Sequence, residues 1–227
     1  MILITGASRG IGKYLFDVFL KAGHEVFGTW LDTPPEDEYM NRFSQVDVTD
    51  PQSIGNWIKG FGDTLDHIVL INCAGTNYNA FAHKADLKQW NHVIQTNLVG
   101  TFHVIHAVLP FMREQQYGRI INFSSVVAQS GIPGTSAYAA SKAGLWGMTR
   151  SIAAENAAKG ITINNLNLGY FAIGMINEVP EGFQQEIRSR IPAGKFGDPQ
   201  NILNAVEFLM HSDYINGSSI DINAGLY

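Results

Sequence analysis

Apolar residues recur along this chain in two rhythms. Short runs at residues 1–5 (MILIT), 25–30 (EVFGTW), 43–46, 67–71, 118–123, 161–168 and 218–222 are bounded by glycine, proline or polar residues and read as strands. Between them the spacing changes to that of helices. Tyr14, Leu15, Val18 and Phe19 form one stripe on residues 13–22, and Leu98, Phe102, Ile105 and Leu109 another on 97–115. Asp50 followed by Pro51 marks a helix start, and further helices are predicted at 86–94, in the Ala-rich stretch after Tyr138 and at 199–210. Residues 33–42 carry two prolines and three acids without a stripe, which predicts an irregular crossover. Strands alternating with helices predict an α/β fold: a parallel, doubly wound sheet with helices on both faces, forming one domain over 1–227.

Composition narrows the function. At 227 residues and 45% hydrophobic, the chain is long enough to bury roughly 70% of its unfolded surface. A net charge of −5 leaves no basic footprint, so no nucleic-acid partner is expected. The single cysteine, Cys73, excludes an intrachain disulfide and suits a reducing compartment. No apolar run approaches the ~18 residues of a membrane span, and no signal-peptide pattern precedes the first strand, so a cytoplasmic location away from membranes is expected.

The first strand runs into Gly6-Ala-Ser-Arg-Gly10-Ile-Gly12 and then a helix. In that context glycines let backbone amides at a helix N-terminus approach a pyrophosphate, although the spacing differs from G-x-G-x-x-G and a tight structural turn is the competing reading. Asp32, 20 residues past Gly12, could accept from an adenosine ribose if it ended the second strand; that strand is expected to stop earlier, leaving Asp32 in a loop. Arg9 could instead hold a 2′-phosphate. Tyr138 and Lys142 stand four apart on a predicted helix and so share a face. Acid/base work near neutrality needs a phenol lowered by roughly 2–3 units from ~10, about 3–4 kcal/mol. One ammonium at ~4 Å and an effective dielectric of ~20 supplies about 4 kcal/mol. His103 and His106 lack a third ligand at a supporting spacing, and no metal site is expected.

These motifs, with Asp47-Val48, Asn72-Cys-Ala74-Gly75, Asn97, Ser125 and Asn223-Ala-Gly225, resemble the short-chain dehydrogenase/reductase family over essentially the whole chain. The local sequence is most similar to 3-oxoacyl carrier-protein reductases. The resemblance implies a single Rossmann-type domain and a ketone/alcohol oxidoreductase using NAD(P)(H), with NADP(H) favoured and NAD(H) the alternative. It implies that Tyr138 is the general acid/base and that Lys142 lowers its pKa and contacts the nicotinamide ribose. Ser125, 13 residues before Tyr138, would polarise the carbonyl, and Asn97 would hold a relay water. The cofactor would be bound by Gly6, Ser8, Arg9, Gly10, Ile11, Gly12, Asp47, Val48, Asn72, Ala74, Gly75, Tyr138, Lys142 and Gly169. The family pattern is broken where Leu168 replaces a proline, Ile173 a threonine, and Cys73 an asparagine. Glu114–Gln116 and Ile176–Glu178 hold no Lys or Arg, unlike the mouths of carrier-protein reductases. A small carbonyl substrate selected by a loop at about 170–193, with Phe171, Met175 and Ile176 as pocket or edge cover, and a homo-oligomer (dimer or tetramer) are the further expectations. The alternative is a dinucleotide-binding sensor without turnover.

Overall fold

The computed structural model describes residues 1–227, the side chain of Glu178 excepted. In chain order it contains β1 (Ile2–Thr5), α1 (Gly10–Lys21), β2 (Val26–Trp30), β3 (Phe43–Gln45), α2 (Pro51–Lys59), β4 (Val69–Asn72), α3 (Leu87–Ile94), α4 (Thr101–Gln115) and β5 (Gly118–Ser125). There follow the one-turn α5 (Val127–Ser130), α6 (Ser136–Asn156), β6 (Ile161–Leu168), α7 (Glu181–Arg190), α8 (Gln200–Met210) and β7 (Ser219–Ile222). The seven strands form one parallel sheet in the order β3-β2-β1-β4-β5-β6-β7. The order reverses between β1 and β4, and in such sheets the crevice beyond the strand ends at that point is where ligands bind.

The central strands β1 and β4 are near-continuous apolar runs, fully buried because both faces are covered. Along β1, Ile2 and Ile4 face a core shared with Phe16 and Phe19 of α1 and Ile202 and Val206 of α8. Leu3 faces the opposite core with Leu70, Ile120, Ile163, Ile54, Val104, Ile105 and Ile152. The α2 start is as expected: the Asp50 side chain accepts from the Gln52 amide at 2.9 Å, with Pro51 at the first helical position.

Three elements differ from expectation. Helix α1 starts at Gly10 rather than 13, because the Arg9 carbonyl already accepts from the Lys13 amide at 3.1 Å. Residues Gln95–Gly100 form a π-turn joining α3 to α4. The crossover at 33–42 is irregular as predicted, apart from a 3₁₀ segment at Asp37–Arg42, whereas α7 lies inside the expected substrate loop and has too few apolar residues to announce itself.

Candidate active site

The glycine turn is shaped by contacts that leave no room for a Cβ. Gly6 has φ +63°, and an added Cβ would lie 2.8 Å from Ala74 Cα; one on Gly12 would lie 2.3 Å from the Gly6 carbonyl oxygen. The turn is pinned to its neighbours: the Gly6 amide donates to Thr29 Oγ1 (3.2 Å), and the amides of Cys73 and Ala74 donate to Thr5 Oγ1 (3.2 and 3.1 Å). Gly10 (φ +56°) faces Gly174 (φ +75°), so the loop after β6 lies directly over the turn. Arg9, the exposed N-cap residue of α1, and Ser8 sit at this helix start. β2 ends at Trp30, which leaves Asp32 exposed two residues beyond it.

One strand further along, β5 delivers Ser125 to the end of the sheet, and α6 places Tyr138 in its first turn and Lys142 in its second. Ser125 Oγ accepts from the Val127 amide at 3.2 Å, which occupies a lone pair and leaves its hydrogen for another acceptor. Lys142 is buried, and its Nζ donates to the Phe123 carbonyl at 2.7 Å while lying 5.6 Å from the Tyr138 ring centroid. Burial pushes the Tyr138 phenol up to about 12; a hydrogen bond from Ser125 works against that rise, and Tyr170 adds to it. Burial also brings Lys142 down to about 8, with Cys73 acting weakly the other way. The expected lowering of Tyr138 by Lys142 is therefore not what this structure shows. Desolvation dominates the phenol, and the downward pull on it comes from the Ser125 hydrogen bond.

Asn97 is fully buried in the π-turn. Its Oδ1 accepts from the Thr76 amide (2.8 Å), and its Nδ2 donates to the Thr76 carbonyl (2.9 Å) and Ser141 Oγ (3.1 Å). Ser141 Oγ in turn donates to the Tyr138 carbonyl at 2.8 Å. The Asn97 side chain thus clamps the loop after β4 to α6, a use the residue type alone did not reveal. A Cβ on exposed Gly75 would sit 3.2 Å from Asn97 Oδ1 and 3.8 Å from Lys142 Nζ, so this glycine keeps the space before the lysine clear.

Other predicted residues serve the scaffold. Asp47 Oδ1 accepts from the Thr49 amide and hydroxyl (2.8 and 2.7 Å), holding the turn into α2. Val48 is buried against Gly100, and its carbonyl lies 3.3 Å from a ring nitrogen of His103, which gives that histidine a structural partner. Asn72 is buried and donates to Asn122 Oδ1 at 2.9 Å. Gly169 allows the close approach of Asn223, whose Cα an added Cβ would meet at 2.8 Å. Leu168, unlike proline, has an amide, and β6 runs through it, paired with Ser125 on one side and Ile222 on the other. Ile173 packs on the core, Phe171 is buried in it and bridges to Gly197, Ile176 is buried, and Met175 is exposed. The structure adds two residues that sequence reasoning passed over. Tyr170 lies close enough to Tyr138 to act on its charge, and Arg190 at the end of α7 acts on Tyr170, so a cation does approach this end of the site.

The arrangement defines a dinucleotide-binding α/β scaffold with a Ser–Tyr–Lys set at the edge of its crevice. The chain belongs to the short-chain dehydrogenase family, whose model matches residues 1–183. It is 37% identical over 237 residues to an acetoacetyl-CoA reductase of Rhizobium meliloti, covering 99% of this chain and 97% of that protein. To a 3-oxoacyl-[acyl-carrier-protein] reductase of Escherichia coli it is 34% identical, covering 99% and 96%. A crystal structure from Agrobacterium tumefaciens, of a protein proposed to be a gluconate dehydrogenase, superposes with a TM-score of 0.89 at 27% identity, covering 100% of this chain and 95% of that one. Nothing in the described site favours a sensor without turnover, since Ser125 at the end of β5 and Tyr138 and Lys142 at the start of α6 lie together.

Proposed function

We propose that the protein is a cytoplasmic, homo-oligomeric NADP(H)-dependent reductase of 3-oxoacyl or related small carbonyl compounds. The observation that carries this reading is the meeting of three groups: Tyr138 hydrogen-bonds Ser125, and buried Lys142 places its Nζ 5.6 Å from the Tyr138 ring centroid. The clash-limited glycine turn fits a dinucleotide: it presents the start of α1 with no side chain in the way, and its dipole favours a pyrophosphate. Gly6, Ser8, Arg9, Gly10, Ile11 and Gly12 would hold the phosphates, and Ala74, Gly75, Tyr138 and Lys142 the nicotinamide half. Asp47, Val48, Asn72 and Gly169 act behind them by fixing the loops. When bound, the nicotinamide supplies a hydride to the carbonyl carbon.

The chain's own residues do the rest. Ser125, with its lone pair engaged by Val127, donates to the carbonyl oxygen and steadies the negative charge that develops there. Tyr138, with a pKa pushed up to about 12, stays protonated through the neutral range and gives its proton to that oxygen. Lys142, at about 8, is mostly cationic at pH 7 and stabilises the phenolate that results. Asn97 holds the lysine's surroundings in place through Thr76 and Ser141. Exposed Arg9 at the α1 start, with Asp32 beyond the end of β2, supports NADP(H) over NAD(H). Relatives that reduce acetoacetyl-CoA and 3-oxoacyl carrier-protein substrates support the substrate class.

The test is a panel of acetoacetyl-CoA, short 3-oxo esters and simple ketones with NADPH and NADH, followed by loss of reduced-nicotinamide absorbance. Turnover of 3-oxoacyl compounds with NADPH is the expected result. Dinucleotide binding without turnover of any member would refute the reading.

A further inference from the structure

One row of the sheet carries polar side chains that the reaction has not used. Ser124 on β5 stands opposite Asn167 on β6, which stands opposite Asp221 on β7. Ser124 is 3% and Asn167 1% exposed, and α6 lies against this row. The Ser124 hydroxyl donates to the Lys142 carbonyl at 3.0 Å and accepts from the indole N–H of Trp146 at 3.0 Å. The same indole N–H is shared with Asn167 Oδ1, also at 3.0 Å, and Asn167 Nδ2 donates to Asp221 Oδ1 at 2.7 Å.

Every direction in this chain is fixed by chemistry. A carboxylate can only accept, so Asn167 turns its NH₂ to Asp221 and its oxygen to Trp146. An indole can only donate, so the Ser124 oxygen receives it and the Ser124 hydrogen is left to point at Lys142. Consecutive residues of β5 therefore grip one lysine at both ends: the Phe123 carbonyl takes its ammonium at 2.7 Å, and the Ser124 hydroxyl takes its backbone at 3.0 Å. Trp146 lies one helical turn beyond Lys142 and locks the Ser124 rotor.

We propose that Ser124 and Trp146 are positioning residues that set the height of Lys142 above the site, with Asn167 and Asp221 orienting them from the next two strands. The inference rests on the reading that Lys142 works in catalysis. Helix α6 has an independent anchor further on, where buried Thr149 Oγ1 donates to Asn165 Oδ1 at 2.9 Å. Loss of the Ser124 contact should therefore loosen the Lys142 turn while the helix stays in place. The titratable groups facing Lys142 are Tyr138 on its own helix and Cys73 after β4; neither touches Ser124 in the hydrogen bonds of the structure.

The direct readout is a ¹³C-NMR titration of the lysine Cε signals, with Lys142 assigned through Lys142→Arg, in wild type, Ser124→Ala, Ser124→Thr and Trp146→Phe. The wild-type signal should titrate near 8, and those of Ser124→Ala and Trp146→Phe closer to the ordinary 10.5, because a loosened lysine regains water. Ser124→Thr, which keeps the hydroxyl, should restore the wild-type midpoint. With acetoacetyl-CoA and NADPH, kcat should fall roughly tenfold in Ser124→Ala with KM changed less than about twofold. Wild-type midpoints in both Ser124→Ala and Trp146→Phe would overturn the proposal, as would a lowered melting temperature with no change of midpoint. Should Ser124→Ala fail to fold, Trp146→Phe decides alone, since it keeps an aromatic ring in place while removing the donor to Ser124 and Asn167. Inactivity of the wild type toward acetoacetyl-CoA would count against the proposed function, while the lysine midpoints would still decide this inference.

Discussion

Lys142 and Phe123 are joined by a charged hydrogen bond: the ammonium donates to the backbone carbonyl of a β5 residue at 2.7 Å, in surroundings that leave the lysine 8% exposed. A carbonyl carries no negative charge, so it offsets only part of the cost of burying the cation, and the pKa falls from 10.5 to about 8. Because the folded-state pKa lies below the unfolded one, the unfolded chain holds more protons between pH 8 and 10.5. The contribution of Lys142 to stability must then rise with pH across that window and be lost as pH falls through 8, a swing of at most about 3 kcal/mol. Lys142→Met removes the titration. Urea melts at pH 7.5 and 10 should show the variant's stability advantage shrinking at the higher pH, and a constant difference would contradict the account. Tyr138 has the opposite sign, its folded pKa of about 12 standing above 10, so its contribution is lost between about pH 10 and 12.

Asn97 offers a separable test. Its side chain makes three hydrogen bonds in a fully buried position, two to Thr76 and one to Ser141. Asn97→Ala leaves the Thr76 amide and carbonyl without those partners and should cost about 2–4 kcal/mol in chemical denaturation. Asn97→Asp keeps the acceptor for the Thr76 amide but sets a carboxylate oxygen against the Thr76 carbonyl in a fully buried position, and should cost at least as much as Asn97→Ala.

Two glycines in helices should respond to alanine in opposite ways. A Cβ on Gly55, in α2, meets nothing within 4 Å, so Gly55→Ala should stabilise by about 0.5–1 kcal/mol. A Cβ on Gly12 would strike the Gly6 carbonyl oxygen at 2.3 Å, so Gly12→Ala should destabilise the turn and weaken dinucleotide binding. Thermal melts together with isothermal titration of NADPH distinguish the two effects.

How far these features could be read from the chain depended on how local their causes are. All seven strands were legible: ILIT and VLIN are apolar runs bounded by breakers, and ITINNLNL keeps isoleucines and leucines at strand spacing among its asparagines. The α1 start at Gly10 was not, since two glycines and no apolar stripe hide a helix turn that the Arg9 carbonyl and the packing of Gly12 stabilise. Helix α7 was missed for a related reason: EGFQQEIRSR has only Phe183 and Ile187 to mark a face. Of the site, the residues came from motif order, but their electrostatics did not. The direction of the Tyr138 shift depends on how many groups from β5, α6 and the loop after β6 crowd the phenol, and no spacing along the helix reports that. Spacing from Tyr138 singles out Ser125 and says nothing of its neighbour Ser124, whose register with Asn167 gives it a separate place against Lys142.

The proposed preference for NADP(H) rests on two exposed residues, Arg9 at the start of α1 and Asp32 just past β2. Arg9 can offer a planar fork to a 2′-phosphate, a charge-assisted contact worth about 1.5–3 kcal/mol, while Asp32, two residues past β2, is screened by water. Paired titrations should find NADPH bound tighter than NADH by wild type, with Arg9→Ala closing the gap and Asp32→Ala changing it little. Tighter NADH binding that Asp32→Ala reverses would assign Asp32 to the ribose instead.

The central claim is that Tyr138 delivers the proton, and the measurement that tests it most directly is turnover of Tyr138→Phe. The substitution removes one oxygen from a ring that stays in place, so the melting temperature and NADPH affinity should match wild type. Reduction of the best carbonyl compound of the panel should fall by on the order of 10²- to 10⁴-fold. A folded Phe variant that binds NADPH and retains wild-type turnover would contradict the account.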